Sequence, residues 1–347
     1  MLKETLLLGT RILASNFKRL SQPYKITFAI TYRCNSRCKT CNIWKKRPSN
    51  ELTLREIKEL FKHTNPSWVN ITGGEPFLRE DLFDICKTIR KETSTFLVNL
   101  ITNGLLPTHT LKTVKRLISL RFPKLIIGIS LDGPRQLHDK LRGTPGNWKS
   151  AIALYKQLRM LNSSRFQTYL GYTISKYNVG EIGHTLQELK REIEGITINE
   201  LHFNLFHKSD IYYSNTIKKA EASKAAMLKD IKYILSHKKS FGLVNIIDRR
   251  FIKLMPRYLS TKRTPLPCKA LTSSCFVEPN GDVYPCTHFP VRLGNLRDVN
   301  HNLQIIWNSK LAKSVHENIE AGNCPHCWTA CEAYQTMFGN LVKSIFI

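Results

Sequence analysis

The chain has 347 residues, of which 42% are hydrophobic and 23% charged, with ten cysteines and a net charge of +27. Those proportions are ordinary for a globular protein, exclude a small disulfide-stapled scaffold, and leave room for one large domain and a smaller one. No run of eighteen uncharged apolar residues offers a spanning helix, and Glu4 and Arg11 interrupt the stretch where a secretory signal would stand.

A cytoplasmic protein with reduced, metal-ligating cysteines is therefore expected. In residues 2–20, Leu2, Leu6, Leu13, Phe17 and Leu20 recur at helical spacing among Lys3, Arg11, Lys18 and Arg19. The expectation is a helix whose apolar face packs across the end of the main domain; the alternative is a helix lying on an anionic membrane surface. The positive charge is clustered. Residues 1–50 hold eleven Lys or Arg against one acid, and residues 216–264 hold thirteen against three. Such clusters favour anionic partners: phospholipid headgroups, a phosphorylated substrate or nucleic acid.

From Lys25 onward, β-rich apolar runs at 25–31, 68–72, 96–102, 124–131, 166–174 and 198–206 alternate with helical patterns at 53–63, 80–91, 108–121, 148–161 and 179–191. This alternation predicts a parallel sheet with helices outside it. Residues 207–264 read as a polar, basic connector, helical over 219–235 and closed off by Pro256, Pro265 and Pro267. A compact cysteine-rich region follows. The expected division is an N-terminal helix (1–22), a core (23–210), a connector (211–264) and a second module (265–347).

Directly after the first strand run, Cys34, Cys38 and Cys41 stand at the spacing C-x3-C-x2-C. A loop with three thiolates can wrap one face of a metal cluster. Iron–sulfur clusters usually take four cysteines, so three imply a distant fourth ligand or an iron left open. A zinc loop is the alternative. After the second strand comes Thr72-Gly73-Gly74-Glu75-Pro76, where two glycines let the backbone approach a ligand and Glu75 adds a fixed acceptor. Asn103-Gly104 follows the third strand, and Ser130-Leu131-Asp132-Gly133 ends the fourth. Arg135, His138 and Arg142 read as a solvated helix start; His202 and His207, flanking the sixth strand, read as ordinary packed or exposed residues, with lining the cavity as the alternative. Cys86 reads as buried within a helix.

The combination closely resembles the radical S-adenosylmethionine (radical SAM) superfamily. One departure is Thr40, where an aromatic residue often precedes the third cysteine. The resemblance implies a partial (β/α)6 barrel, TIM-like, with Cys34, Cys38 and Cys41 holding a [4Fe-4S] cluster. Its open iron would bind the amino and carboxylate groups of S-adenosylmethionine. It further implies that Gly73, Gly74 and Glu75 contact the amino group, and that Asn103, Ser130 and Asp132 serve the ribose and carboxylate. The stretch Ile174-Ser175-Lys176-Tyr177-Asn178 matches the adenine-contacting region.

The second module carries Cys268, Cys275, Cys286, Cys324, Cys327 and Cys331, with Gly281 five residues before Cys286. It resembles the SPASM and twitch extensions, small α+β domains with auxiliary four-iron clusters, but is shorter than the full SPASM pattern. At least one auxiliary [4Fe-4S] cluster is implied, with zinc as the alternative.

What the resemblance implies in function is reductive cleavage of S-adenosylmethionine to a 5′-deoxyadenosyl radical that abstracts hydrogen from a substrate, with flavodoxin or ferredoxin as reductant. A peptide or protein substrate is expected. The alternatives are a lipid, polyprenyl or sugar-phosphate substrate at a membrane surface, or, in another class, a non-catalytic metal-binding module for nucleic acid. Against the last, Gly73-Gly74-Glu75 has no role there. In sulfatase-maturing relatives an aspartate base follows the last cysteine of G-x4-C; here Thr287 stands there, and no catalytic side chain is assigned.

Overall fold

The computed structural model describes residues 2–239 and 242–341. Met1, residues 240–241 of the connector and the tail 342–347, assigned above to the second module, lie outside the described residues. Helix α1 (Leu2–Ser15) precedes β1 (Lys25–Thr31), α2 (Leu54–His63), β2 (Trp68–Gly73), α3 (Leu82–Glu92), β3 (Leu97–Thr102), α4 (Pro107–Ser119) and β4 (Lys124–Ser130). There follow α5 (Arg135–Arg142), α6 (Asn147–Arg159), β5 (Phe166–Ile174), α7 (Ile182–Glu192), β6 (Leu201–Leu205), α8 (Lys224–His237) and α9 (Leu243–Thr261). The cysteine-rich part supplies β7 (Ser274–Val277), β8 (Asp282–Tyr284), β9 (Gly294–Asn295), α10 (Leu303–Trp307), α11 (Lys310–Glu320) and α12 (Ala330–Phe338).

Local signals explain the starts and stops. Thr53 and Glu56 form a reciprocal capping box at α2, and Gly143, in the left-handed conformation, closes α5. Helix α9 differs from expectation: it runs through Pro256 to Thr261. Proline deletes one backbone bond, and this helix holds because Phe251, Ile252, Met255 and Leu259 are buried against the core.

Among the described residues the strands form one sheet, in the order β6-β5-β4-β3-β2-β1-β7-β8-β9. Strands β1 to β6 pair in parallel, which carries every β1–β6 C-terminal end to one side. Strand β7 also runs parallel to β1, with Lys25 opposite Ser274, while β8 and β9 are antiparallel. The auxiliary region therefore extends the sheet of the core. Burial along β5 strictly alternates: Phe166, Leu170, Tyr172 and Ile174 are fully buried under the helices, while Tyr169, Gly171 and Thr173 are half-buried. Strands β3 and β6 alternate likewise, with Asn99, Ile101, His202 and Asn204 on the half-buried side. These strands therefore bury one face under the helices and leave the other, the inner face of the half-barrel, partly exposed.

Helix α1 is turned opposite to the expected way. Its polar side is the attached one: Arg11 Nη1 donates to the Asn65 carbonyl and to Ser67 Oγ, and Glu4 pairs with Arg90 at 3.5 Å. Leu2, Leu6, Leu13 and Phe17 are 59–79% exposed as a result.

The end of the barrel nearest the strand N-termini is closed by buried charge. Lys25 Nζ donates to Gln335 Oε1 at 2.6 Å and to the Cys331 carbonyl, and lies 4.7 Å over the Trp68 ring. Glu332 accepts from Ser274 Oγ and Gln335 Nε2. Burial lowers the Lys25 pKa, with Glu332 opposing, and burial pushes the Glu332 carboxyl up to about 7 against the pull of Lys25. These contacts fasten α12 to β1. Breaking such a set from one side leaves buried groups unpaired, so Lys25→Met is expected to destabilise the protein by about 3 kcal/mol or more. Urea unfolding at pH 7 measures this; a loss under about 1 kcal/mol would show that the closure is not held by Lys25.

Candidate active site and auxiliary cysteine centre

The cysteine loop leaves the end of β1 and lies directly against the turn after β2. Gly74 N–H donates to the Thr31 carbonyl and Glu75 N–H to the Arg33 carbonyl, both at 2.8 Å. A Cβ on Gly73 would stand 2.0 Å from the Thr31 oxygen, and one on Gly74 2.3 Å from the Arg33 oxygen. Both glycines are thus required by the close approach of two backbones.

Beneath the loop, Glu75 is fully buried. Its Oε1 accepts from Phe77 N–H at 3.2 Å and its Oε2 from Asn103 N–H at 2.6 Å. Burial nevertheless dominates and raises the carboxyl to about 7. The Asn103 side chain reaches back to Asn35 Oδ1 of the cysteine loop at 2.7 Å. The ends of β1, β2 and β3 are therefore joined in one hydrogen-bonded circuit.

The end of β4 contributes differently from expectation. Asp132 pairs with Arg142 at 2.7 Å and accepts from Thr173 N–H at 2.9 Å, so its carboxylate is engaged by protein on both oxygens. Arg142 and His138, expected in solvent, are both turned inward: His138 is buried and its Nδ1 accepts from Asp132 N–H. The Arg142 side chain is 13% exposed and its Nη1 points at Cys38 Sγ, 3.7 Å away. Its Nε has no hydrogen-bond partner among the described residues. A buried guanidinium with a free donor beside three thiols fits an anionic ligand or cluster. Ser130 stands half-buried at the end of β4, opposite Gly171.

Burial raises Cys34 to about 11 and Cys41 to about 12, with Cys38 adding to both. Those two thiols hold their protons until a metal displaces them. The loop after β6 clamps them from above: Asn42 N–H donates to the Tyr213 carbonyl and Asn215 Nδ2 to the Thr40 carbonyl, both at 2.9 Å, and Tyr212 OH bonds Thr72. The sequence gives no reason to single out Tyr212, Tyr213 and Asn215 beyond the adjacent tyrosines in a polar segment, and it places Arg142 in solvent.

The auxiliary cysteines do not gather as a single group. Cys268, Cys286, Cys324 and Cys327 line one hollow with His288 and His326. Cys275, on β7 opposite Ile26, is instead buried in the hydrophobic core. The Cys331 thiol lies apart, within electrostatic reach of Lys25, Tyr213 and Tyr334. His207 is buried between the two regions: its Nδ1 donates to the Leu205 carbonyl, and its Nε2 accepts from Trp328 N–H at 3.0 Å. Cys86 is buried in α3.

Among the described residues no three His, Cys, Asp or Glu side chains converge tightly enough for one metal ion. Structural zinc needs four ligands at about 2–2.3 Å from a single point. Four thiols lining one hollow match the four-cysteine set that iron–sulfur clusters usually take.

Two centres of this kind, one at the mouth of a parallel half-barrel and one in the strands that extend it, define an iron–sulfur enzyme. The chain belongs to the radical SAM superfamily: the superfamily model matches residues 28–189, and a SPASM model, an iron–sulfur cluster-binding domain, matches residues 268–332. Its cofactors are S-adenosylmethionine, the [4Fe-4S] cluster that binds it, and auxiliary [4Fe-4S] iron–sulfur. It is 27% identical over 324 residues to the AdoMet-dependent heme synthase of Methanosarcina barkeri, covering 88% of both chains. With the subtilosin biosynthesis protein AlbA of Bacillus subtilis it shares 25% identity, over 94% of this chain and 69% of AlbA. The fold is similar to that of Streptococcus suis SuiB bound to the precursor peptide SuiA, with a TM-score of 0.60 and 16% identity over 96% of this chain and 75% of that one.

Glu75 gives the apoprotein a defined pH dependence. Its folded pKa is raised from 4.5 to about 7, so the folded state holds the proton longer than the unfolded state. The contribution to stability is complete below about pH 4.5 and is lost as pH rises toward 7. Glu75→Gln is expected to flatten that part of the stability–pH curve. Denaturant titrations of metal-free protein between pH 5 and 8 measure it; an unchanged slope would remove Glu75 as its source.

Proposed function

We propose that this radical SAM enzyme modifies a peptide or protein substrate at an unactivated carbon, inside the lumen between the cysteine loop and the barrel floor. The observation that carries the reading is the inner face of the sheet, where Asn99, Tyr169, Gly171, Thr173, His202 and Asn204 form a partly wet, polar and locally side-chain-free wall. Such a wall offers donors and acceptors to an amide-rich chain. Likeness along 94% of this chain to a bacteriocin biosynthesis protein, and a fold like that of an enzyme held with its precursor peptide, support it.

When bound, S-adenosylmethionine and its cluster supply hydrogen-atom abstraction. In this reading Cys34, Cys38 and Cys41 hold that cluster, and the Gly73-Gly74-Glu75 turn receives the amino group of S-adenosylmethionine. Asn103 and Ser130 serve its polar edge, and Asp132 aims Arg142 at the same site. Cys268, Cys286, Cys324 and Cys327 hold the auxiliary cluster. An acidic one-electron carrier such as flavodoxin or ferredoxin suits the exposed Arg33, Arg37, Lys45 and Arg47 around the cysteine loop.

Replacing Cys38 with Ala is expected to abolish 5′-deoxyadenosine formation in anaerobically reconstituted enzyme. Adding short peptides encoded beside the gene is expected to yield a mass change in one of them, with wild-type enzyme only. Turnover retained by the Cys38→Ala protein would sink the assignment of the loop. Modification of a tetrapyrrole and of no peptide would sink the substrate class.

A membrane-surface location is a second reading, favoured by the outward stripe Leu2, Leu6, Leu13 and Phe17 with exposed Lys3 and Lys18 beside it. Co-sedimentation with vesicles containing anionic phosphatidylglycerol is expected for wild type at low salt. It is expected to fall steeply toward 0.5 M salt, where the Debye length is only about 4 Å, and to be lost in Leu6→Glu/Phe17→Glu. Equal sedimentation of the variant would refute the role of α1.

A further inference from the structure

One imidazole–carboxylate pair on the inner face of the sheet belongs to neither cysteine centre. His202 lies on the inner face of β6, its side chain 22% exposed, and its Nδ1 is 3.4 Å from Asp248 Oδ1. Asp248 comes from α9, and its side chain is only 1% exposed. Its other oxygen, Oδ2, is 2.9 Å from Lys238 Nζ, at the end of α8, and Tyr334 OH of α12 donates to Oδ1 at 2.9 Å. Burial alone would raise the Asp248 carboxyl; His202 and Lys238 outweigh it and hold it well below the usual carboxylate range. The carboxylate is therefore a fixed anion, already balanced by Lys238. A neutral imidazole beside it places its proton on Nδ1, facing the anion, and leaves a lone pair on Nε2.

The ring is held in place from the side by Tyr169, with ring centroids 4.2 Å apart. Its position is also open. Gly171 is the cross-strand partner of His202, and a Cβ built there would meet nothing nearer than 3.7 Å. The groups facing His202 are thus Asp248 and Tyr169, with Lys238 and Tyr334 behind the carboxylate. A buried carboxylate that orients a partly exposed imidazole over a side-chain-free strand position is the arrangement used for proton transfer in enclosed sites.

We infer that His202, oriented by Asp248, is the acid–base residue of the barrel lumen, whose Nε2 takes a proton from an N–H or O–H of the bound substrate. In that step the substrate X–H bond breaks and its electron pair stays on X. The proton forms a new N–H bond at Nε2, and Nδ1–H remains with Asp248. No oxidant is consumed. The inference rests on the reading that a peptide reacts in the lumen, and its test separates the two.

The first arm uses the full-length metal-free chain with 15N-labelled histidine. Two-bond 15N–1H correlation at pH 8, with His202→Gln to assign the signal, is expected to show His202 protonated on Nδ1. Protonation on Nε2 instead would overturn the inference, whether or not any peptide reacts. The second arm uses reconstituted holoenzyme and the peptide that passes the assay above. His202→Gln is expected to reduce modified peptide about a hundredfold or more, in the range of general base catalysis. It is also expected to erase the acidic limb of the kcat–pH profile, while peptide affinity measured by calorimetry changes less than about threefold. Product formation within about threefold of wild type, with the acidic limb intact, would overturn the inference. If no peptide reacts, that failure belongs to the substrate reading, and the tautomer still decides the role of His202.

Discussion

The site depends on two backbones lying closer than any side chain allows. Gly73, at φ +135°, and Gly74 let the strand-two turn nest under the carbonyls of Thr31 and Arg33. That contact fixes where the cysteine loop begins its curl and carries Glu75 beneath it. Glu75 then captures Asn103 N–H in the interior, and the Asn103 side chain captures Asn35 nearer the surface, so the ends of three strands are joined by one chain of hydrogen bonds. A buried, high-pKa carboxyl is costly in isolation. Here two backbone N–H groups, those of Phe77 and Asn103, offset that cost.

The second organising feature is that the auxiliary region is continuous with the core. Strand β7 pairs along β1, α12 is pinned to β1 through Lys25, and Trp328 is held by His207 at the end of β6. Tyr213 lies within electrostatic reach of Cys41 on one side and of Cys327 and Cys331 on the other. The two cysteine centres therefore share an aromatic wall, and the lumen floor is built jointly by β5, β6, α9 and α12. This explains why the connector helices α8 and α9, which carry no motif, supply Lys238 and Asp248 to the lumen.

Much of the fold was legible because its signals are local. Apolar runs and turn residues mark each β–α unit, and the C-x3-C-x2-C and Gly-Gly-Glu motifs sit within a few residues of their strands. The radical SAM and SPASM assignments both held. What was not legible depends on three-dimensional context. The periodicity of α1 shows that it has an apolar stripe, but not that Arg11 and Glu4 anchor the opposite side. Arg142 resembles a solvated helix residue until Asp132 turns it toward Cys38. Cys275 counts with the other auxiliary cysteines in the sequence, yet strand alternation turns it into the core, since its neighbours Ser274 and Phe276 take the inner face. Pro256 looks like a helix stop, and burial of Met255 and Leu259 carries the helix past it.

The central claim is that seven cysteines, in two sets, hold two clusters. Iron and sulfide analysis with Mössbauer spectroscopy on anaerobically reconstituted protein tests this most directly. About eight irons per chain are predicted for wild type, since each cubane holds four. About four are predicted to remain in Cys34→Ala/Cys38→Ala/Cys41→Ala, and about four in a variant lacking Cys268, Cys286, Cys324 and Cys327. Cys275→Ala is predicted to keep all eight. Loss of the auxiliary cluster in Cys275→Ala, or a wild-type chain that binds zinc and no more than four irons, would contradict the account.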